Sequence, residues 1–388
     1  MEESSIMPRP ASDASLLSLA RALDLSTATV SNAFNRPERV GAATLERILA
    51  EAERIGYSGP DLAARQLRRG RADAIGLVLT DALPFAFEDH AAVGFLAGVA
   101  QTCEETGRSL VMLPSGSGSG SGSSSGSGSV RSVGAATPLR GAASVPPLGT
   151  VAIDGVIVYS VGDREPVLAA AQARRIPIVV VDQPHAGPAW DWVGIDDRAV
   201  GVTVGEHLAQ LGHERVGVIA PRLSQARRNG PVPRDAVPDY AVLRARIEGL
   251  RAGLAAHGSA AEVTIEERTI SSEQAGAAGF AALMARHPAL TAVFCLSDEL
   301  ALGALARAAE LGIDVPGRVS IVGVDDIERA EAVGLTTIEQ PLQAKGAVAG
   351  RLLMARIDER LAGGRPGPAQ ARVLPTTLHV RSTTAPPS

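Results

Sequence analysis

The side chains with the clearest chemistry in this sequence lie close together near its amino-terminal end. Thr27, Ala28 and Asn32 would share the exposed face of one short helix. Asn32 can pair with adenine through two hydrogen bonds, and Thr27 can offer a hydroxyl or a methyl group to a base edge. Thr29 and Ser31 are placed to reach phosphates. This set of residue types predicts a helix that contacts DNA in the major groove.

Two short helices with a break between them are needed to present that face. Leu16 and Leu23 begin and end a repeat of apolar residues three and four apart, with Ser15 as a candidate cap. The chain breaks around Asp24, and Ser26 is placed to cap the second helix. This is the spacing of a helix-turn-helix, whose second helix enters the major groove. A helical hairpin with a merely solvated polar face has the same spacing, so spacing alone leaves both open.

A third amphipathic helix and a basic segment follow. The helix is predicted from about Ala42 to Ile55 and stops at Gly56. Beyond it the sequence has a cluster of arginines: Arg65, Arg68, Arg69 and Arg71. These side chains can neutralise phosphates, although a basic interdomain linker would have the same composition. Since Lys345 is the only lysine of the chain, the preference for arginine is interpreted as a compositional habit and cannot by itself be called functional.

Residues 15–71 resemble the DNA-binding headpiece of the LacI/GalR family of bacterial transcription regulators. The runs that carry the resemblance are Ala28-Thr29-Val30-Ser31, Phe34-Asn35, Ile55-Gly56-Tyr57 and Ala63-Ala64-Arg65-Gln66-Leu67. The resemblance implies a helix-turn-helix domain over 15–59 and a hinge over 60–73. Asp24 stands where the family usually has glycine, and aspartate tolerates left-handed backbone angles better than most residues. Many members have arginine in place of Asn32, so the operator is expected to differ at that base.

The same resemblance implies how the hinge contacts DNA. In the family this segment becomes helical when two copies meet on the operator. Leu67 stands at the position of a leucine that is wedged into the minor groove at a central base step. Arg65 and Arg68 would neutralise phosphates, so the affinity should fall steeply with salt. The implied assembly is a homodimer on a pseudo-palindromic operator of double-stranded DNA.

From Ala74 onwards, short apolar strands alternate with alanine-rich helices. The predicted strands are Ile75–Leu79, Ser109–Leu113, Gly155–Tyr159, Ile178–Val181, Arg215–Ala220, Ala292–Leu296 and Ser320–Val324. Continuous apolar strands in such an alternation are typical of parallel sheets that are covered by helices on both faces. Roughly 300 residues of this pattern predict two lobes. We expect the chain to cross between them near Trp192–Asp197 and again after Val324.

The segment from Asp73 to about Arg381 resembles the family's effector-binding core, which shares its fold with periplasmic sugar-binding proteins. Matching runs include Ile75–Val78, Asp154–Val158, Val193–Asp197, Phe294–Gly303, Val322–Asp326 and Leu335–Pro341. The expected fold class is therefore α/β: an all-α helix-turn-helix headpiece, and a two-lobe, type I periplasmic-binding-protein-like core with parallel sheets over 74–388, which also mediates dimerisation. The Gly/Ser tract at 115–129 and the loop Pro221–Pro238 depart from the family's pattern.

A cleft between two such lobes, at the carboxyl ends of the strands, is where small ligands bind. The residues at the family's ligand positions are Arg246, Ser297, Asp298, Asp325 and Gln340, and Phe85 and Phe87 are candidates for an apolar wall. Arginine and carboxylates can hold vicinal hydroxyls by charge-assisted hydrogen bonds. The alternatives are a helix cap for Asp298, a solvated arginine for Arg246, and ordinary core packing for the two phenylalanines.

Metal, cofactor and catalytic chemistry are not favoured. His207 and His213 lie across a helix end and do not share a face, so surface or interface roles are expected instead of a metal site. The hydrolase-like match Gly122–Gly126 lies in Gly/Ser coil, which cannot form the strained turn that such a nucleophile needs. No phosphate-binding glycine loop occurs. Cys103 and Cys295 are expected to be buried thiols. We therefore expect no cofactor and no catalytic residue.

Length and composition limit the remaining possibilities. A chain of 388 residues with 45% apolar and 20% charged residues predicts a globular protein of two or three domains. It has no apolar run of the roughly 18 to 20 residues that a membrane helix needs, and its start lacks the features of an export signal, so we expect a cytoplasmic protein. The predicted function is a DNA-binding transcriptional regulator, a repressor if it follows the family, controlled by a small effector such as a sugar or sugar derivative. A free-standing solute receptor and a sugar hydrolase that uses Asp298 and Asp325 are the alternatives.

Overall fold

The chain divides into two compact units, residues 1–72 and residues 73–388. The structure, a computed structural model, describes residues 15–57, 59, 70–79, 83–114, 148, 151–162, 165–185, 190–223, 228–258, 262–365 and 367–388. The predictions for Arg65, Leu67 and Arg68, most of the proposed hinge, and the Gly/Ser tract at 115–129 lie outside the described residues.

The first unit contains three short α-helices around a small apolar core. They are α1 (Leu16–Leu23), α2 (Thr27–Asn35) and α3 (Ala42–Ile55), with a 3₁₀ turn at Pro37–Arg39. Each helix contributes a fully buried side chain to the core, namely Leu19, Val30 and Ile48. The helical interpretation of this region is confirmed.

Local signals set the ends of these helices. The Ser15 hydroxyl accepts a hydrogen bond from the Ser18 amide at 3.1 Å, and the Ser26 hydroxyl accepts one from the Thr29 amide at 3.0 Å. Such caps satisfy amides that have no partner inside the helix. Asp24 adopts the left-handed conformation expected for the turn, with φ 54°. The capped break between α1 and α2 is the geometry that a helix-turn-helix requires.

The second unit consists of two lobes, each built on one sheet. Lobe 1 has a six-stranded, all-parallel sheet in the order β12-β5-β4-β3-β1-β2. Its strands are β1 (Ala74–Leu79), β2 (Ser109–Pro114), β3 (Gly155–Tyr159), β4 (Ile178–Val181), β5 (Asp191–Ile195) and β12 (Ala371–Leu374). Its helices are α4 (His90–Thr106), α5 (Pro166–Ala173) and α11 (Leu342–Leu361). The parallel doubly covered sheet follows from the continuous apolar runs of β1, β3 and β4.

Lobe 2 has a seven-stranded sheet in the order β13-β11-β10-β9-β6-β8-β7. Its strands are β6 (Arg215–Pro221), β7 (Gly230–Pro231), β8 (Glu262–Arg268), β9 (Ala292–Cys295), β10 (Ser320–Asp325), β11 (Thr336–Glu339) and β13 (Thr377–His379). Its helices are α6 (Asp197–Gln210), α7 (Ala241–Ala256), α8 (Glu273–Arg286), α9 (Asp298–Glu310) and α10 (Glu328–Ala332). The two edge strands β7 and β13 run antiparallel to their neighbours.

The chain crosses between the lobes at three places. The first crossing lies between β5 and α6, as predicted. The second lies between β11 and α11, so the chain completes one more strand of lobe 2 after Val324 before it crosses. The third lies between β12 and β13 and was not predicted, because these short strands have mostly exposed or half-buried side chains and no continuous apolar run.

Glycines bring the helices that carry the cleft residues into close contact. A Cβ on Gly201 of α6 would lie 2.1 Å from the Arg246 carbonyl oxygen of α7. A Cβ on Gly98 of α4 would lie 1.9 Å from the Gln343 carbonyl oxygen of α11. Only a residue without a side chain fits at either contact. These contacts hold α7 against α6 in lobe 2 and α11 against α4 in lobe 1.

His213 has a different role from the surface or interface role that the sequence suggested. It is 1% exposed, and its ring nitrogens bond to the Thr291 hydroxyl and the Ala385 carbonyl oxygen, both at 3.0 Å. His207 bonds to the Thr384 hydroxyl at 3.1 Å. The two histidines therefore attach the carboxyl-terminal segment to lobe 2. Within the described residues, no group of three metal-ligating side chains occurs.

The stability of the protein should fall below about pH 6.5 because of these histidines. Burial lowers the pKa of both His213 and His207 below the ordinary value of 6.5. The unfolded chain then binds protons that the folded chain does not, so stability is complete above pH 6.5 and is lost as the pH falls. Each histidine adds at most about 1.4 kcal/mol per pH unit.

Urea unfolding at pH 7.5 and at pH 5.5 measures this loss. His213→Gln should reduce the difference between the two pH values, and groups common to both proteins cancel in the comparison. An equal pH dependence in the parent and in His213→Gln would show that His213 is not responsible.

Cys103 and Cys295 are buried free thiols, as predicted. Among the helices that the structure describes, none is both long enough and apolar enough to cross a membrane.

Candidate functional site: a DNA-reading helix and a ligand cleft

Helix α2 presents a polar face on the headpiece. Thr27 and Ala28 are exposed and Asn32 is half-buried, whereas Val30 and Ala33 point into the core. The helix therefore places the three predicted base-reading residues on the side away from the core. This arrangement leaves the three side chains available to contact base edges in the major groove of DNA.

The two predicted phosphate contacts already take part in bonds within the helix. The Thr29 hydroxyl bonds to the Ser26 hydroxyl at 2.8 Å. The Asn35 amide donates to the Ser31 carbonyl oxygen at 2.8 Å and to the Ser31 hydroxyl at 3.1 Å. Since a serine hydroxyl that accepts a bond retains its own proton, Ser31 can still donate to a phosphate oxygen. The bond from Asn35 orients that hydroxyl.

A cavity of about 170 Å³ lies between the two lobes, at the carboxyl ends of their strands. Four of the five predicted ligand residues of the core line it: Arg246, Ser297, Asp325 and Gln340. The volume holds on the order of ten water molecules, which is the scale of a small polar ligand. The position agrees with the rule that open parallel sheets bind ligands at the carboxyl ends of their strands.

Strained backbone marks the floor of this cavity. Four lining residues that are not glycine have positive φ angles where a parallel strand ends: Ser160 (51°), Asp182 (62°), Arg222 (32°) and Asp325 (129°). Such angles cost free energy and persist only where the surrounding structure imposes them. Two of the four belong to lobe 1 and two to lobe 2, so both lobes present a strained strand end to the ligand space.

Arg246 is the buried cation of the cleft. Its Nε donates to Asp197 Oδ1 at 2.8 Å and its Nη1 to the Leu296 carbonyl oxygen at 2.9 Å. Burial acts to lower the pKa of Arg246, but the charges of Asp197 and Asp325 outweigh it and the pKa is raised. Burial raises the pKa of Asp197, and Arg246 opposes that rise. The guanidinium is therefore held by lobe 2 with one edge toward the ligand space.

Asp325 and Gln340 form a hydrogen-bonded pair beside it. The Gln340 side-chain amide donates to Asp325 Oδ1. Burial and the neighbouring Asp298 raise the pKa of Asp325 well above its usual range, and Arg246 opposes them. Ser297 caps α9 by accepting from the Leu300 amide, and its hydroxyl bonds to the Ser271 hydroxyl at 2.6 Å. Together these groups offer a ligand a carboxyl, a hydroxyl and an amide.

Asp298 has a different place from the one predicted. It is 0% exposed and does not line the cavity. Its carboxylate accepts from the Thr337 hydroxyl at 2.6 Å and from the Ile327 amide at 3.1 Å. Burial raises its pKa to about 6. Since Ser297 is the cap of α9, Asp298 is not the helix cap either; it joins α9 to the loop after β10 and to β11 behind the cleft.

The apolar wall predicted from Phe85 and Phe87 is not seen at the cavity among the described side chains. Phe87 is 63% exposed and is not a lining residue, and the side chain of Phe85 lies outside the described residues. Two tyrosines stand at the cavity instead. Tyr159 stacks on Phe95 with ring centres 4.2 Å apart, and the Arg222 guanidinium lies 5.1 Å from the Tyr240 ring centre.

Known proteins match this chain over nearly its whole length. Residues 205–384 match the model of a periplasmic binding protein-like domain. An HTH-type transcriptional regulator of Mycobacterium tuberculosis is 39% identical over 352 residues, which are 89% of this chain and 92% of that protein. The HTH-type transcriptional regulator IpsA of Corynebacterium glutamicum is 36% identical over 375 residues, 96% and 97% of the two chains. A crystal structure of a LacI-family transcriptional regulator from Corynebacterium glutamicum superposes with a TM-score of 0.67 at 32% identity and covers 95% of this chain and 98% of that one. The chain belongs to the LacI family.

As a LacI-family member, the protein is a DNA-binding helix-turn-helix transcriptional regulator. Regulators of this family bind operators and small-molecule effectors and are not enzymes. The alternatives of a free-standing receptor and of a sugar hydrolase are therefore wrong. The predicted α/β fold, with its headpiece and periplasmic-binding-protein-like core, is confirmed.

Several polar residues of the cleft were not predicted from the sequence of this LacI-family chain. Asp182, Gln183, Ser160, Asp89 and Arg222 all line the cavity. Ser160 and Asp182 directly follow the predicted strands Gly155–Tyr159 and Ile178–Val181, so their position at strand ends was a signal that could have identified them. Asp89 lacked such a signal, because it reaches the cavity from the cap of α4.

Proposed function

We propose that this regulator is a homodimeric repressor whose operator affinity is controlled by a sugar or sugar derivative bound between its lobes. Thr27, Ala28 and Asn32 of each α2 contact one half of a pseudo-palindromic operator, with Thr29 and Ser31 on its phosphates. The observation that carries the proposal is the cleft itself, where polar groups of both lobes converge on one small cavity.

The chemistry of the cleft supports a polyhydroxylated effector. Asp325 and Arg246 both line the cavity, so a carboxyl group and a guanidinium donor are available to the same ligand. Adjacent hydroxyl groups of a sugar can form hydrogen bonds to the carboxyl group and accept from the guanidinium. Tyr159, Leu243 and Leu296 supply apolar surface for the ring carbons.

Residues from both lobes explain how such a ligand would act at a distance. Ser160 and Asp182 contact it from lobe 1, whereas Arg246 and Asp325 contact it from lobe 2. A ligand that contacts both lobes binds better to one lobe arrangement than to another, and this difference in affinity shifts the equilibrium. A coupling of about 1 to 3 kcal/mol changes operator affinity by about 5- to 150-fold.

One experiment tests the whole proposal. Purified protein selects fragments from genomic DNA, and fluorescence anisotropy then follows the best fragment with and without mono- and disaccharides and sugar phosphates. We expect one sugar to lower the affinity and light scattering to give a mass of about twice 39.8 kDa. If the protein preferred no fragment over random DNA, the proposed role as a sequence-specific repressor would be contradicted. If the protein bound DNA selectively but no sugar or sugar phosphate changed its affinity, the proposed control by a sugar effector would be contradicted.

Leu67→Ala tests the hinge separately. If Leu67 is wedged between base pairs, removing it should weaken operator binding at least about tenfold, because the bend that unstacking permits is lost. The thermal shift produced by the effector sugar should not change. Gln66→Ala is the neighbouring control. Equal operator affinity of Leu67→Ala and the parent protein would exclude the wedge.

A further inference from the structure

The only lysine of the chain is buried at the point where the lobes meet. Lys345 lies in the first turn of α11, directly after the second crossing, and is 1% exposed. A buried ammonium is costly unless it is paired and hydrogen-bonded. The buried position of Lys345 therefore requires partners that compensate for the loss of hydration of its ammonium group.

The partners of Lys345 come from both sides of the crossing. Its Nζ donates to Asp182 Oδ1 at 2.7 Å and to Gln340 Oε1 at 2.7 Å. Gln340 in turn donates through its side-chain amide to Asp325 Oδ1. Asp182 follows β4 of lobe 1, and Asp325 ends β10 of lobe 2. One chain of hydrogen bonds thus joins the two lobes at the floor of the cleft.

The ammonium also determines which way Gln340 faces. A lysine can only donate hydrogen bonds, so the oxygen of the Gln340 amide must point toward it. The NH₂ group of Gln340 then points toward Asp325. Both ends of the chain, Asp182 and Asp325, line the cavity and have positive φ angles. Lys345 thereby holds a carboxylate of each lobe without itself lining the ligand space.

Other polar contacts between the lobes are weaker candidates for this role. His90 of α4 and Glu299 of α9 lie 2.6 Å apart, but the His90 side chain is half exposed. Exposed pairs contribute little, because water competes for both partners. The Val242 amide donates to Gln183 Oε1 at 3.1 Å, a single bond between neutral groups. Only the Lys345 chain places a buried charge between ligand-facing carboxylates of the two lobes in the part of the core that the structure describes.

We propose that Lys345 is the positioning residue of the cleft: it fixes Asp182 of lobe 1 and, through Gln340, Asp325 of lobe 2, and so links the ligand site to the relative position of the lobes. The role of the cleft as an effector site rests on the proposed function. The chain of hydrogen bonds Asp182–Lys345–Gln340–Asp325, the lysine clamp, is present in the protein without ligand. The clamp is therefore tested in that state.

The distance between the lobes measures the clamp directly. Spin labels are attached to Ala169→Cys on α5 of lobe 1 and Arg251→Cys on α7 of lobe 2, both at exposed positions. The two native cysteines are buried. Lys345→Met should broaden or shift the distance distribution of the full-length protein, and Lys345→Arg should restore it because it keeps the charge. Arg351→Met, an exposed change on the same helix, is the control. Identical distributions for Lys345→Met and the parent would overturn the proposal.

A second measurement needs no change to Lys345. The protein has a single lysine amine, so acylation by an N-hydroxysuccinimide ester, followed by peptide mass spectrometry, reports its accessibility without ambiguity. We expect the folded protein to react at least about tenfold more slowly than the urea-unfolded protein, because reaction requires local opening. Asp182→Asn should accelerate the reaction. An amine that reacts equally fast in both states would exclude the clamp. Failure of every sugar to bind would contradict the proposed effector but would leave both measurements valid.

Discussion

Arg246→Ala is expected to lower the free energy of unfolding of the core by about 3 to 5 kcal/mol. The substitution leaves Asp197, which is buried, without its arginine partner, and it removes the bond from Arg246 to the Leu296 carbonyl oxygen. Breaking a buried pair by removing one member is far more costly than its net contribution suggests, because the remaining charge stays in a medium of low dielectric constant. Urea unfolding followed by tryptophan fluorescence measures the loss.

The pH dependence of this variant identifies the cause. Burial already raises the pKa of Asp197, and Arg246 holds it down. Without Arg246 the folded protein should bind a proton at Asp197 that the unfolded chain releases, so the variant should be less stable as the pH rises. The loss relative to the parent should therefore be larger at pH 7.5 than at pH 5.

Two further variants make the Arg246 result decisive. Adding Asp197→Asn to Arg246→Ala should recover part of the lost stability, because the unpaired charge is gone. Arg251→Ala, an exposed arginine on the same helix, should change stability by no more than about 0.5 kcal/mol. If Arg246→Ala were as stable as Arg251→Ala, the buried pair would have no part in holding the cleft.

Asn32→Ala is expected to weaken operator binding by about 1 to 3 kcal/mol for each half of the operator. Asn32 is half-buried on the polar face of α2 and has no side-chain hydrogen bond to another described residue of the headpiece. The substitution should therefore leave thermal stability unchanged while it removes a contact to one base. Anisotropy with the selected operator measures the affinity, and random DNA gives the non-specific reference.

A modified operator identifies the base partner. A bidentate contact from Asn32 to adenine uses the N7 atom and the exocyclic amine of the base. Replacing that adenine by 7-deazaadenine should weaken binding of the parent protein and should have little further effect on Asn32→Ala. The two changes should therefore not be additive. Additive losses at every adenine of the operator would show that Asn32 does not contact adenine.

The headpiece shows how much a local pattern determines. Ser15 and Ser26 cap their helices as predicted, and Asp24 takes the left-handed turn, because each depends on atoms no more than a few residues away. The strands of the core follow the same logic. Strands β3 and β4 have the predicted bounds, since a short run of buried β-branched residues is enough to define a central strand.

The cleft depends on contacts that no local pattern encodes. Asp298 and Asp325 look alike in sequence, since each stands at or just after the end of an apolar strand. Because β11 lies next to β10 in the sheet, Thr337 meets Asp298 and removes it from the ligand space, whereas Asp325 stays at the cavity. The order of the strands decides which of two similar acids can touch a ligand.

The sequence by itself determined the three helices of the headpiece, the two α/β lobes and the edge of the sheets at which the cleft lies, because helix caps and apolar runs act over a few residues. Only the tertiary structure decided that Lys345 joins Asp182 to Gln340 and that Arg246 pairs with Asp197. The partners of these charges lie far away along the chain. Their pairing depends on strand order and on where the chain crosses between lobes, and both are results of packing the whole core.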